Sequence, residues 1–106
     1  MDNFYSHKTK WPGFTETVYI SRDEKVSFSL YWYDGDVNRI VLHNLFVSPS
    51  ARKRGRASMV LQDIIASIGN KRLALYVTER KLIRWYQERG FKLIRDTGDI
   101  IEMSSK

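Results

Sequence analysis

Residues 47–58 read VSPSARKRGRAS, and the organisation of the whole chain turns on them. Upstream, Arg39–Val47 (RIVLHNLFV) is rich in β-branched and large apolar residues and stops just before Pro49, as a strand should. Downstream, Val60, Leu61, Ile64, Ile65 and Ile68 recur at helical spacing from about Arg56, and Gly69-Asn70 supplies the stop. The basic segment between them is a strand-to-helix junction whose helix begins directly after a glycine. Free N–H groups and the positive end of the helix dipole converge at such a start, and the small residues Gly55 and Ala57 leave room for an incoming phosphate. Arg52, Lys53, Arg54 and Arg56 add positive charge around the same point. A solvated basic loop ahead of an ordinary core helix is the plain alternative.

The flanks complete an α/β pattern. Toward the N-terminus, Thr15–Ile20 and Val26–Tyr33 alternate as strands around the polar turn Ser21–Lys25, and Asp34-Gly35-Asp36 leads into Arg39–Val47. The end from Met1 to about Lys10 reads as loosely held. Toward the C-terminus, Leu73–Thr78 (LALYVT) is short and almost wholly apolar, as a strand buried on both faces would be. Arg80–Arg89 follows as a second helix, with Leu82, Ile83 and Tyr86 on one side and Gly90 as its cap. Phe91–Arg95 and Ile100–Met103 are strands around the turn Asp96–Asp99. The expected order is βββ-α-β-α-ββ, a mixed, mostly antiparallel sheet of the α/β (α+β) class with helices packed on it.

Composition narrows the function classes. The 106 residues are 42% apolar and 13% aromatic, which predicts one domain over residues 1–106 that buries its own core. No run approaches the roughly 18 apolar residues of a membrane span, and Met1–Lys10 lacks the apolar stretch of a signal peptide. A soluble, cytoplasmic protein with no membrane partner is expected. The absence of cysteine excludes disulfides, cysteine zinc sites, thiol redox chemistry and an acyl-cysteine intermediate, and no metal is expected. Residues 50–95 carry twelve basic and three acidic side chains, against five and six in residues 1–49, so one block holds the excess behind the net charge of +6. Such a block suits a compact anion; the rival reading is a basic nucleic-acid-binding module, for which no recognised motif appears.

The junction V-x-P-x-x-R-x-x-G-x-A, Val47 to Ala57, resembles the acetyl-CoA-binding motif of the GNAT superfamily of N-acetyltransferases: Arg or Gln, two residues, Gly, one residue, Gly or Ala. Tyr86-Gln87-Glu88-Arg89-Gly90-Phe91 is similar to the Y-x-x-x-G-F that closes the family's last helix and opens its next strand. The two occur in the family's order on either side of a strand. The resemblance covers residues 39–95 and implies an acetyl-CoA-binding core there, with residues 1–38 as an N-terminal hairpin and acceptor side. It implies acetyl-CoA as acetyl donor and a primary amine as acceptor. Leu45, Phe46 and Val47 fall where the family's central strand splays from its neighbour and offers backbone groups to the pantetheine arm and acetyl carbonyl. Lys53, Arg54, Gly55, Arg56, Ala57 and Ser58 fall on the pyrophosphate-binding turn, with Arg52 at the motif's first basic position. Tyr86 falls on the tyrosine thought to hydrogen-bond the departing thiolate. Two positions depart from the pattern: Arg56 stands where an aliphatic residue is common, and Glu79, after a shortened loop, stands near where an asparagine usually contacts the cofactor.

GNAT enzymes are known for direct attack of an amine on the thioester, which suits a chain without cysteine. Deprotonating a lysine-like amine at pH 7 costs about 4.6 kcal/mol, and an α-amino group only about 1 kcal/mol, so a base matters for the first. His43, two residues before Leu45, stands on the strand where several family members carry a carboxylate proposed as the base. A bridged water is the alternative base, and a merely structural strand histidine the bland reading. Full proton transfer from a tyrosine to a thiolate is uphill by about 2 kcal/mol, so Tyr86 is expected to act through a hydrogen bond, with Arg84 and Arg89 near enough to lower its pKa. The turn carboxylates Asp23, Glu24, Asp34 and Asp36 are candidates to attract a cationic amine. Trp11, Tyr31, Trp32, Tyr33 and Trp85 read as sheet packing, with an acceptor pocket or dimer contact as the alternative. Ser21–Lys25 is too short for the two helices that usually wall the family's acceptor site. That side is therefore expected to be open unless the second subunit of a homodimer covers it. Protein lysine, protein N-terminus, polyamine and small amine all stay open as acceptors, as does coenzyme A binding without catalysis.

Overall fold

The computed structural model describes residues 1–52 and 55–106. Lys53 and Arg54, expected on the pyrophosphate-binding turn, lie outside the described residues. One sheet carries seven strands in the order β1-β2-β3-β4-β5-β7-β6. β1 (Phe4–Trp11), β2 (Phe14–Ser21), β3 (Val26–Tyr33) and β4 (Arg39–Val47) form an antiparallel meander, and β5 (Arg72–Tyr76) joins β4 in parallel. β6 (Lys92–Asp96) and β7 (Ile101–Ser104) complete the far edge antiparallel.

The mixed sheet is the expected one, with one strand more. β1 replaces the loose end read from the sequence: all 8 of its residues pair with β2, from Phe4 opposite Ser21 to Trp11 opposite Phe14. Its polar residues, Ser6, Lys8, Thr9 and Lys10, concealed the strand, because an edge strand needs little apolar content. The Pro12-Gly13 turn folds it back, with Gly13 at φ 85°, a conformation glycine adopts without a Cβ penalty.

The helices are α1 (Arg56–Ile68) and α2 (Ile83–Gln87), the latter entered through a 3-10 turn at Arg80–Leu82. α2 is shorter than the helix expected over 80–89. The Leu82 N–H bonds the Glu79 carbonyl three residues back, tightening the first turn, and Gly90 at φ 91° ends the second. Both helices lie on one face of the sheet. Val60, Leu61, Ile64 and Ile68 of α1 are buried in a cluster with Phe28, Leu30, Ile40, Leu42, Leu73 and Leu75, and Leu82, Ile83, Trp85 and Tyr86 pack against the same core. Ile64 is fully buried, so truncation to alanine there costs about 2–5 kcal/mol. Strand alternation sends Tyr31, Val41, His43, Ala74 and Tyr76 to the opposite face, which among the described residues no helix covers.

Two irregularities of β4 shape the site. Ser29 pairs with His43 and Ser27 with Phe46, so Asn44 and Leu45 together oppose Phe28 in a bulge, with Asn44 left-handed at φ 58°. The ladder between β4 and β5 ends at Leu42 opposite Leu75, which leaves residues 43–47 parted from β5. This is the splay expected at Leu45, Phe46 and Val47.

Candidate active site

At the start of α1, Gly55 is left-handed (φ 71°, ψ 13°), and a Cβ there would meet no other group of the protein within 4 Å, so within the chain itself glycine serves the backbone conformation. No side chain caps the helix and its first turn carries no acidic residue. The first-turn N–H groups therefore face outward with the helix dipole behind them. A cavity of about 320 Å³ opens at this point. Six residues expected from the sequence line it, Val47, Arg52, Gly55, Arg56, Ala57 and Ser58, joined by Ala51, Trp85 and Arg89.

The cations around the cavity are differently engaged. Arg56 grips Asp23 in a two-pronged contact of 2.9 and 3.4 Å, which ties α1 to the β2–β3 turn. That guanidinium, with the Ser21 hydroxyl and the Lys25 N–H, holds the Asp23 carboxyl well below the usual carboxylate range. Arg56, expected on the pyrophosphate-binding turn, thus borders the cavity while its guanidinium is paired with Asp23. The Arg52 Nε–H donates to the Val47 carbonyl at 2.8 Å. Arg89 was not read as a binding residue, yet it lies 3.7 Å over the Trp85 ring, donates to the Trp85 carbonyl at 2.8 Å and hydrogen-bonds Ser58 Oγ. Arg89 lies in the turn that follows α2, four residues after Trp85, and only its hydrogen bond to Ser58 shows what this end of α2 meets.

Other expected site residues stand apart. Glu79 is exposed and pairs with Lys81 at 3.3 Å, outside the cavity. Leu45 packs against the core, and Phe46 is exposed with the Arg52 guanidinium 5.7 Å from its ring centroid. Tyr86 also packs against the core, edge-on to Trp85 (5.0 Å) and Phe91 (5.7 Å), and does not line the cavity. Burial pushes its phenol pKa up. The expected lowering by arginines is overturned, because Arg84 pairs with Glu88 and Arg89 turns to Trp85 and Ser58.

His43 is the first β4 residue beyond the last β4–β5 pair, at the mouth of the splay on the helix-free face. Its ring lies 4.3 Å from that of Tyr31 and 6.4 Å from that of Tyr76, which follows the last pair on β5. His43 Nε2 is shut off from solvent, and no described protein group hydrogen-bonds it. Burial pushes the imidazole pKa down, Glu16 opposes and Arg39 reinforces the shift, so His43 is neutral at pH 7. Three of the turn carboxylates read as amine attractors are already paired: Asp23 with Arg56, Asp34 with Lys10 at 2.7 Å and Asp36 with Arg72 at 3.6 Å. Among the described residues no group of three or more His, Cys, Asp or Glu side chains is placed to hold a metal, and no helix is long and apolar enough to cross a membrane.

Parted strands beside a glycine-started helix leave free N–H groups at a helix N-terminus, where the helix dipole favours an anion. Residues 14–93 match the Acetyltransferase (GNAT) domain, and the chain belongs to that family. No curated protein matches it significantly. Among solved structures, Escherichia coli ElaA is similar in fold, with a TM-score of 0.64 and 18% identity over 88% of this chain and 68% of its own. The PaiA N-acetyltransferase from Thermoplasma acidophilum, in complex with coenzyme A, superposes with a TM-score of 0.67 at 18% identity, over 86% of this chain and 59% of its own. This chain thus spans only about three fifths of that relative's length. A GNAT family acetyltransferase from Elizabethkingia anophelis with acetyl-CoA bound has a TM-score of 0.65 at 16% identity, over 100% of this chain and 99% of its own.

Proposed function

We propose that this chain transfers the acetyl group of acetyl-CoA to a primary amine by direct attack. The observation that carries this reading is the layout of β4. At one end of its parted segment Val47 lines the cavity at the Gly55 helix start, and at the other His43 opens on the helix-free face. A donor laid along that segment has its pyrophosphate at the Gly55–Ser58 turn, beside Arg52 and Arg89, and its acetyl group where β4 and β5 part. The Elizabethkingia anophelis protein, which matches this chain over nearly its whole length, binds acetyl-CoA, so a fold of this size has room for the donor.

His43 takes the proton of the attacking amine, directly or through one water, and its neutrality at pH 7 leaves it free to do so. The amine nitrogen then forms the C–N bond, the C–S bond breaks, and its electron pair leaves on the coenzyme A sulfur. The Tyr86 hydroxyl, its pKa raised by burial, stabilises that thiolate by donating a hydrogen bond while keeping its proton. A second reading is coenzyme A binding without turnover. It is favoured by the Val47 carbonyl, which already accepts from Arg52 instead of standing free for the pantetheine arm. Free thiol released from acetyl-CoA in the presence of a panel of primary amines separates the two. Release that requires both substrates supports transfer; thermal stabilisation by acetyl-CoA without release supports binding alone.

A further inference from the structure

The helix-free face carries an unbroken row of aromatic rings, one from each of the first five strands. Trp11, Phe14, Tyr31, His43 and Tyr76 follow one another with centroid separations of 6.4, 5.5, 4.3 and 6.4 Å. Glu16, also on β2, is set into this row. Its carboxylate accepts from Trp11 Nε1 at 3.3 Å and from the Tyr31 hydroxyl at 2.9 Å. Both donors are neutral, and among the described residues no cation lies within 4.0 Å of Glu16. Asp23, Asp34, Asp36, Asp96 and Glu102 each have an arginine or lysine within that distance. Glu16 is thus a half-buried, ordered negative charge with spare acceptor sites, fixed by an indole N–H and a phenol O–H. Its field reaches His43, where it favours the protonated imidazole, and Tyr31, where it disfavours the phenolate.

The spacing decides what such a charge can recognise. Glu16 is opposite Tyr31, which pairs with Val41, and His43 lies two residues further along β4, so the two positions stand two strand intervals and two residues apart, roughly 12 Å along the diagonal. One nitrogen cannot sit at both. We infer that Glu16, held in place by the Trp11 N–H and the Tyr31 O–H, anchors a second, protonated amine of the acceptor while the reacting amine is held at His43, which makes the acceptor class alkyl diamines rather than monoamines. A chain of several methylene groups crosses the aromatic row between the two ends. This rests on the proposed amine acetylation for its assignment of the reacting end, whereas capture of the ammonium at Glu16 needs no catalysis.

The experiment has two parts. In binding, pentanediamine is titrated into the protein with and without coenzyme A while the Trp11 indole N–H is followed by NMR, with pentylamine as the comparison. The diamine should move the Trp11 resonance saturably, at least tenfold more tightly than the monoamine, and Glu16→Gln should remove that difference. In turnover, the ratio of kcat/KM for pentanediamine to that for pentylamine should be at least ten and fall to near one in Glu16→Gln, through KM, with acetyl-CoA affinity unchanged. Tyr31→Phe, which keeps the ring and removes one donor to Glu16, serves as a second variant and should lower the ratio less. Equal affinity for the two amines, a ratio kept in Glu16→Gln, or preference for a lysine peptide that ignores Glu16 each overturns the inference. Binding of the diamine at Trp11 with no acetyl transfer would overturn the proposed activity and leave the ammonium site standing.

Discussion

The Arg89 Nε–H donates to the Ser58 hydroxyl oxygen, joining the turn after α2 to the first turn of α1 across 31 residues of sequence. Both residues line the cavity at the helix start, so the bond holds a guanidinium at its wall. Arg89→Ala is expected to weaken acetyl-CoA binding about tenfold, the loss of one charge-assisted contact worth roughly 1.4 kcal/mol. Isothermal titration checks it. Arg89→Lys should fall between, because a point charge cannot span Ser58 and the Trp85 carbonyl together. Unaltered affinity in Arg89→Ala would remove this residue from the donor site.

Gly55→Ala places a Cβ in open space but in a left-handed backbone at φ 71°. The strain amounts to about 1–2 kcal/mol, which should lower Tm by about 4–8 °C for each kcal/mol in a domain of this size. Circular dichroism melts read this directly, and Gly55→Asn should be milder because asparagine tolerates the conformation.

The rate of acetyl transfer should carry an acid limb from His43. Its folded pKa lies below the usual 6.5, chiefly through burial, so neutral imidazole is lost only as pH falls beneath that value. With a lysine-like acceptor, kcat/KM should level off above the limb. In His43→Gln the rate should be lower at pH 7 and climb steadily with pH, following the free amine alone. Superimposable profiles for parent and variant would show that the base is elsewhere.

Tyr86→Phe is expected to reduce turnover at least tenfold with little effect on acetyl-CoA affinity. The phenol's raised pKa makes it a donor across neutral pH, so no basic limb attributable to Tyr86 should appear below its ordinary value of 10.0. Steady-state kinetics combined with direct binding provide the check. An unchanged turnover number would leave Tyr86 as core packing only.

Two exposed ion pairs make the fold sensitive to acid. The Asp23 and Asp96 carboxyls both titrate below the usual range in the folded chain, Asp96 at about 2 because of Arg80 first and the Gly98 N–H second. A lowered folded pKa means that the stabilisation is complete above the unfolded value near 3.9 and is lost as pH falls through the folded one. Tm should therefore decline below about pH 4, and the Asp23→Asn, Asp96→Asn double variant should decline less from its own neutral-pH value. A parallel decline in the two would assign the acid sensitivity to other groups.

Much of the fold was legible because its signals are local. The stretch from Val47 to Ser58 carries its own stop, charge and helix start, and the apolar spacing from Val60 to Ile68 matches the buried face of α1. What escaped was non-local. β1 is written in polar residues, and only pairing with β2 makes it a strand. The role of Arg89 depends on the turn after α2 reaching the first turn of α1 beside one cavity. The paired state of Asp23, Asp34 and Asp36 depends on cations that are far away in sequence. Glu16 could be noticed only once the β2–β3 register set it opposite Tyr31, because in the sequence it is one of twelve acidic residues with no motif around it.

The central claim is direct transfer of an acetyl group from acetyl-CoA to an amine, and mass spectrometry of enzyme and acceptor in one reaction mixture tests it most directly. The expected result is acetylated amine in step with released coenzyme A, with both products absent when either substrate is withheld and no acetyl group gained by the protein. Acetyl-CoA that binds and stabilises the fold, yet remains intact with every amine offered, would contradict it.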